Sequence, residues 1–307
     1  MQKKKGLLVK QLLAHRQLYL FLFLPLVFLL LFSYQPMFGV QIAFKKYRVS
    51  TGIWGSAWVG LSNFQRFFSS YMFERVVTNT LFLSFYGLIA GFPLPILFAL
   101  SINAMRNQRL KKVVQLVTYA PHFISTTVIV GMMMSIFNAR IGLYATLSRM
   151  LTGQYPNDIF SSVSAFSHLY VWSNVWQSLG WNAIIYIAAL SGVDMQLHEA
   201  AQIDGASRFQ RVVHIDLMCI LPTASILLIL SAGNIMSVGF EKVYLMQNNI
   251  NLRASEIIST YVYKVGLTGN ADYSYSTAIG LFNSVVNMAM LVLVNAITRK
   301  LSSSSLF

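Results

Sequence analysis

The chain is short of charge, and shortest of acid: 10% of its 307 residues are charged, with nine Asp or Glu against 23 Lys or Arg. Its single cysteine, Cys219, excludes both a disulfide framework and a thiolate cluster for a metal. Five histidines are scattered, and no Ser/His/Asp ordering, paired carboxylates or metal-ligand spacing stands out. No catalytic residue and no metal ligand is assigned, so the chain is not expected to be an enzyme on its own. The phosphate-cradling pattern G-x-x-x-x-G-K-S/T is also missing. The chain is therefore expected to bind no cofactor itself.

What is abundant is apolar surface. At 56% hydrophobic and 14% aromatic residues the balance lies far from that of a soluble domain. Runs such as LYLFLFLPLVFLLLF and AMLVLVNAI leave too few polar side chains to cover a water-facing surface, and a bilayer supplies the missing apolar solvent. A net charge of +14 suits nucleic acid when Lys and Arg gather in a groove or on one helix face. Here they sit between the apolar runs, where they orient membrane helices, which argues against a nucleic-acid partner.

A window of about twenty residues, enough to cross a hydrocarbon core, predicts six spans near 17–38, 76–102, 113–137, 163–191, 215–239 and 275–298. The expected fold is all-α, a polytopic membrane protein with six transmembrane helices in a single transmembrane domain over 1–307. The stretch MQKKKGLLVKQLLAHR resembles a signal-peptide n-region, but the apolar run behind it is too long and lacks a small-residue cleavage site, so it reads as a retained helix. Lys and Arg in short flanks favour the cytoplasm. Lys3, Lys4, Lys5, Lys10 and Arg16 precede the first span, Arg106, Arg109, Lys111 and Lys112 follow the second, and Arg299 and Lys300 follow the last. Both termini are expected inside, although FKKYR at 44–48 dilutes the bias from the outer side.

With that orientation the segment LHEAAQIDGASRFQRVV, between the fourth and fifth spans, is cytoplasmic. From Leu197 to Ile203 it suits a short helix with Leu197, Ala200 and Ala201 on one face. The two alanines let another backbone come close, and Glu199 can meet a positive partner or a backbone donor. Gly205 is expected to take the left-handed conformation that ends the helix, with Asp204 or Ser207 capping the next. That helix, RFQRVVHIDL, puts Phe209, Val212, Val213 and Leu217 on one side and Arg208, Arg211 and His214 on another, a slanted entrance to the fifth span.

EAAQIDGASRFQRVVHIDL resembles the EAA loop of binding-protein-dependent ABC importer permeases, E-A-A-x-x-x-G, nine residues, then I-x-L-P. Glu199, Ala200, Ala201, Gly205, Ile215 and Leu217 fall in register, while Met218 stands where the family has proline and Pro222 follows four residues on. YQPMFGVQIAFKKY, GLSNFQRFF, NTLFLSFYG, YAPHFISTTVIVGMMMSIF and SVGFEKVYLMQN extend the likeness to the LplB-like branch of carbohydrate permeases. The resemblance implies the type I ABC importer permease fold in a bacterial cytoplasmic membrane. It implies a cytoplasmic coupling loop over 195–217, in which Leu197, Glu199, Ala200, Ala201, Asp204 and Gly205 meet the ATPase. It implies four kinds of partner: a second homologous permease, two cytoplasmic ABC ATPases, an extracellular solute-binding protein and an oligosaccharide substrate.

A sugar path calls for amides, which match hydroxyls as donor and acceptor, and for aromatic faces, which cover pyranose C–H patches. The fourth span offers Tyr170, Asn174, Gln177 and Trp181 at i, i+4, i+7 and i+11. Further pathway candidates are Tyr119 and His122 on the third span, Asn234 on the fifth, and Asn283 and Asn287 on the sixth. The same residue types also serve as interhelical hydrogen-bond glue within a lipid-solvated bundle, so each position has two readings. No Asp, Glu, Lys or Arg falls in the middle of a predicted span, which argues against an ion-coupled symporter. The other class left open is a stand-alone sugar carrier or channel.

Overall fold

Long apolar runs become helices because a helix satisfies its own backbone in lipid, and nearly every element of the chain is helical. The structure, a computed structural model, describes residues 16–269 and 271–301. The basic residues Lys3, Lys4, Lys5 and Lys10, and the side chain of Lys300, lie outside what is described.

Two compact units divide the chain. The smaller comprises residues up to Phe68 together with Val265–Leu281. Its first helix, α1 (Arg16–Leu29), runs on through a π turn at Leu30–Tyr34, and the continuous apolar helix Arg16–Phe44 is long enough to cross a membrane. No residue of α1 is buried, so its Leu and Phe side chains need lipid or another protein around them. A two-residue hairpin follows, β1 (Lys45–Lys46) paired antiparallel with β2 (Ala57–Trp58). Arg66 closes the unit by donating to Asp272 at 2.6 Å and lying 4.2 Å over the Tyr275 ring, while the Tyr47 amide donates to Ser274.

The larger unit comprises Ser69–Lys264 with residues from Phe282 onward. It starts with α2 (Tyr71–Gly91), capped by the Ser70 hydroxyl, and α3 (Pro93–Asn103), whose opening proline needs no amide partner. Together they form the second predicted span, one apolar stretch from Tyr71 to Asn103. The third predicted span, 113–137, is not one helix. It consists of α4 (Gln108–Tyr119), a 3₁₀ turn at Ala120–Phe123, and α5 (Thr126–Ile136), bent by 100° at the break. Pro121 cannot continue an α-helical ladder, and Ser125 starts a new helix by accepting the Val128 amide, so chemistry overrides the unbroken hydropathy.

The fourth span is α6 (Val163–Ser191), 29 residues or about 43 Å at 1.5 Å per residue, ample to cross a bilayer although its polar side chains make it less apolar than the others. Short helices α7 (Met195–Ile203) and α8 (Arg208–Arg211) come next. A π turn at Val212–Asp216 joins α8 to α9 (Leu217–Ala232). The fifth span therefore runs from Arg208 to Ala232 rather than over 215–239. After Ala232 the chain makes turns, then folds into α10 (Phe240–Met246). The last span, α11 (Tyr273–Leu301), gives its residues through Leu281 to the smaller unit and the rest to the larger.

Among the described residues four helices are long and apolar enough to cross a membrane, five with the bent pair, and α6 is the sixth long candidate. The larger unit's core joins α2, α5, α6 and α10 around Leu83, Ile129, Phe166 and Val243. A second cluster holds α3, α6 and α9 together through Ala99, Ala183 and Ile220. Gly180 lets α4 approach α6, since a Cβ there would overlap the Thr118 carbonyl and meet the Tyr119 ring at 2.8 Å.

Candidate functional site

Two places in the larger unit concentrate polar chemistry. The first is the segment from Asp194 to Asp216. Asp194 caps α7 by accepting the Gln196 amide at 2.9 Å. At its other end the Ala206 amide donates to the Ala201 carbonyl at 2.8 Å and the Gly205 amide to Gln202 at 3.2 Å, the paired bonds of a Schellman turn. Gly205 makes that turn possible at φ +80°, a left-handed conformation that residues with a Cβ adopt at a cost. Of the two capping residues read from the sequence, Ser207 takes the role. It accepts the Gln210 amide, and Gln210 Oε1 accepts the Ser207 amide in return, a reciprocal capping box.

The two short helices are then fastened together. His198 Nε2 lies 3.1 Å from Asp216 Oδ1, and Arg211 donates to Gln202 at 3.3 Å. Asp216 is buried at 3% exposure, so the first tie holds a carboxylate withdrawn from water. Leu197, Glu199, Ala200, Asp204 and Gly205 are exposed and Ala201 partly so. Met195, Ile203 and Phe209 extend an uncovered apolar surface beside them. A nine-residue helix is too short to persist in water by itself, so caps and ties hold its shape while its outer face stays open.

The second place is a cavity of about 420 Å³ walled by α2, α6 and the chain from Leu227 to Gly239. Its α6 wall repeats every four residues: Tyr170, Asn174, Ser178, Asn182 and Tyr186 all line it. The stripe read from the sequence divides here. Tyr170 and Asn174 line the cavity, whereas Gln177 donates to the Ile124 carbonyl at the break between α4 and α5. Trp181 stacks on His122 with ring centroids 4.3 Å apart and planes 5° apart. Tyr119 packs beside Gly180 in the same neighbourhood. Asn234 lines the cavity from the turn beyond α9.

Asn287 and Tyr170 serve broken backbone. Asn287 accepts the Met236 amide at 2.8 Å and donates to Ser237, and the Tyr170 hydroxyl accepts the Gly239 amide at 3.1 Å. These amides belong to the seven residues between α9 and α10, where no helix ladder satisfies them, and bundle side chains take over. Asn283 Oδ1 is buried with no hydrogen-bond partner among the described residues.

Sequence reasoning misses Ser178, Asn182, Ser231 and Ser237 as cavity residues, and it misses Lys242. That lysine, on α10, is 4% exposed and donates to Asn174 Oδ1 at 2.8 Å. The four-residue repeat along α6 is the signal that reveals Ser178 and Asn182. Nothing local to SVGFEKVYLMQN shows that its lysine turns inward.

Membrane-length helices, a pinned short helix with an open face and a polar cavity between spans define the membrane subunit of a transporter. The chain belongs to the family described as binding-protein-dependent transport system inner membrane components, whose model matches residues 91–303. It is a permease subunit of an ABC transporter, a non-catalytic, multi-pass protein of the cytoplasmic membrane. Protein LplB of Bacillus subtilis (strain 168) is 41% identical over 290 residues, covering 94% of this chain and 91% of that one. The polygalacturonan/rhamnogalacturonan transport system permease protein YteP of the same strain is 39% identical over 306 residues, covering 100% of this chain and 94% of its own. A crystal structure of a bacterial ABC transporter involved in the import of the acidic polysaccharide alginate superposes with a TM-score of 0.88 at 34% identity, over 96% of this chain and 99% of that one. A second structure of an alginate transporter, in complex with alginate pentasaccharide-bound periplasmic protein, gives the same TM-score over 97% of this chain.

Proposed function

We propose that this permease forms half of the pore of an ATP-driven importer for oligosaccharides released from polysaccharides. A second homologous permease supplies the other half, two cytoplasmic ATPases hold ATP and Mg, and an extracellular binding protein delivers the sugar. The observation that carries this reading is the α7 segment: a short helix, capped at both ends, tied to the start of the fifth span and left exposed at Leu197, Glu199 and Ala200. A contact of that kind transmits the closing of an ATPase pair to a membrane helix as a rigid-body movement. Amides and hydroxyls along the α6 cavity wall suit sugar hydroxyls. The relatives support the substrate class, since YteP is named for polygalacturonan and rhamnogalacturonan and the matched structures for alginate. Arg106, Arg109, Lys111 and Lys112 after the second span support a cytoplasmic position for α7 and both termini.

The test is co-purification joined to uptake. The solubilised permease should retain a second permease and ATPase subunits, and a strain lacking it should lose ATP-dependent uptake of labelled oligosaccharides. Uptake that persists without either partner would assign the chain to stand-alone carriers or channels.

A further inference from the structure

Lys242 has no role in the coupling segment and, among the described residues, no carboxylate partner. Among the described residues the ion pairs are Arg66 with Asp272, Arg75 and Lys264 with Glu256, and His198 with Asp216. Glu241, next in sequence, is exposed, and its carboxylate accepts from Thr127 instead. Lys242 is thus a buried cation whose recorded hydrogen bond goes to the neutral amide oxygen of Asn174. Burying a charge beside a neutral group alone is unfavourable, and such a charge commonly marks a functional site. An ammonium carries three donors, and this bond uses one of them.

The lysine is held firmly. Val243 and Met246, on the same short helix, are buried in the main core. The Gly239 amide that leads into α10 is bound by the Tyr170 hydroxyl, and both residues line the cavity. Asn174 lies between Lys242 and that cavity. One lone pair of its oxygen receives the ammonium and one of its N–H groups serves the Tyr170 hydroxyl, so Asn174 offers the cavity a remaining N–H donor polarised by the cation behind it. A wall that presents donors backed by positive charge prefers an acceptor that is itself negative.

We propose that the cavity beside Tyr170, Asn174 and Gly239 binds a carboxylate group of the transported oligosaccharide, so that the substrate is a uronate-bearing sugar, with Asn174 in contact and Lys242 as the positioning counter-charge. This rests on the reading of the chain as an oligosaccharide permease and adds the chemical class of the sugar. Charge would discriminate where hydroxyl recognition cannot, because a neutral hexose and a uronate differ at one carbon.

The test uses the whole complex in proteoliposomes, with permease pair, ATPases and binding protein, supplied either with an oligouronate or with the same oligosaccharide reduced at its carboxyl groups. Lys242→Met should lower uptake of the acidic sugar by about tenfold or more and leave the reduced sugar within about twofold, while Lys242→Arg keeps most of the acidic uptake. Asn174→Asp, nearly isosteric, places a carboxylate on the ammonium and should lower uptake of the acidic sugar more than that of the reduced one, which covers the case in which Lys242→Met fails to assemble. Equal loss of both sugars, no loss of either, or equal effects of Met and Arg at 242 would each overturn the proposal. Import of the reduced sugar with rejection of the oligouronate by the unaltered complex would overturn it too, yet leave the permease reading standing. No uptake of any oligosaccharide by a fully assembled complex would instead count against that reading.

Discussion

Removing the imidazole of His198 tests whether the coupling helix moves as part of the fifth span. The bond from His198 to Asp216 joins α7 to the π turn near the start of that span, 18 residues away in sequence. A hydrogen bond to a charged group contributes about 1.5–3 kcal/mol, and a buried carboxylate stripped of its partner adds its own desolvation cost. The second tie, Gln202 to Arg211, is exposed and longer at 3.3 Å, so it should offset less than half of the loss. A net weakening of about 2 kcal/mol raises the population of detached α7 roughly thirtyfold. His198→Ala should therefore leave membrane insertion and pairing with the second permease intact while lowering the sugar imported per ATP hydrolysed. Asp216→Ala should have a similar effect, and the double variant should be little worse than either single one, because both remove the same contact. The assay is ATPase pull-down beside uptake and ATP turnover in the same proteoliposomes. Full coupling with His198→Ala, or losses that simply add in the double variant, would refute the latch.

Three further outcomes follow from backbone geometry. Gly205→Val meets no steric neighbour within 4 Å, but forces a β-branched residue to φ +80°, which costs about 1–2 kcal/mol; uptake should fall with assembly retained, as read by uptake and pull-down together. Gly180→Ala drives a methyl group into the Thr118 carbonyl, an overpacking cost of about 1–3 kcal/mol, and should lower the melting temperature of the solubilised complex by several degrees, whereas an unchanged melting curve would show that α4 yields freely. Met218→Pro should assemble normally, since the π turn at Val212–Asp216 has already loosened the helix ladder immediately before the position where the family carries proline; loss of complex on size-exclusion chromatography would show that the ladder there is needed.

The parts of the molecule legible in the sequence are those set by local chemistry. Apolar runs locate the spans, and the spacing from Glu199 to Gly205 locates a helix and its left-handed stop, found at φ +80°. Ser207 as a cap is equally local. The misreadings share a cause. Residues 113–137 remain apolar straight through a 100° bend, and ILLILSAGNIMSVGF remains apolar straight through the end of α9. Hydropathy measures where a chain is comfortable in lipid, and not whether its helix is intact. Whether the helix continues depends on which groups receive the freed amides, and those lie far off in sequence: Tyr170 is 69 residues from Gly239, and Asn287 is 51 from Met236.

That dependence also changes what the polar residues of the spans mean. Lining and glue look like alternatives for each Asn, Gln or Tyr when only periodicity is available. In the structure Tyr170 does both, facing the cavity with part of its surface while its hydroxyl holds the Gly239 amide. Asn174 likewise lines the cavity while its oxygen holds Lys242. Each such obligation uses a specific lone pair or proton, and what remains is what the cavity can offer a ligand. A broken helix therefore determines the chemistry of the space beside it: interrupting α9 at Ala232 brings α10 and its lysine against α6, and the amide that receives the lysine turns from a neutral hydroxyl reader into a donor with charge behind it.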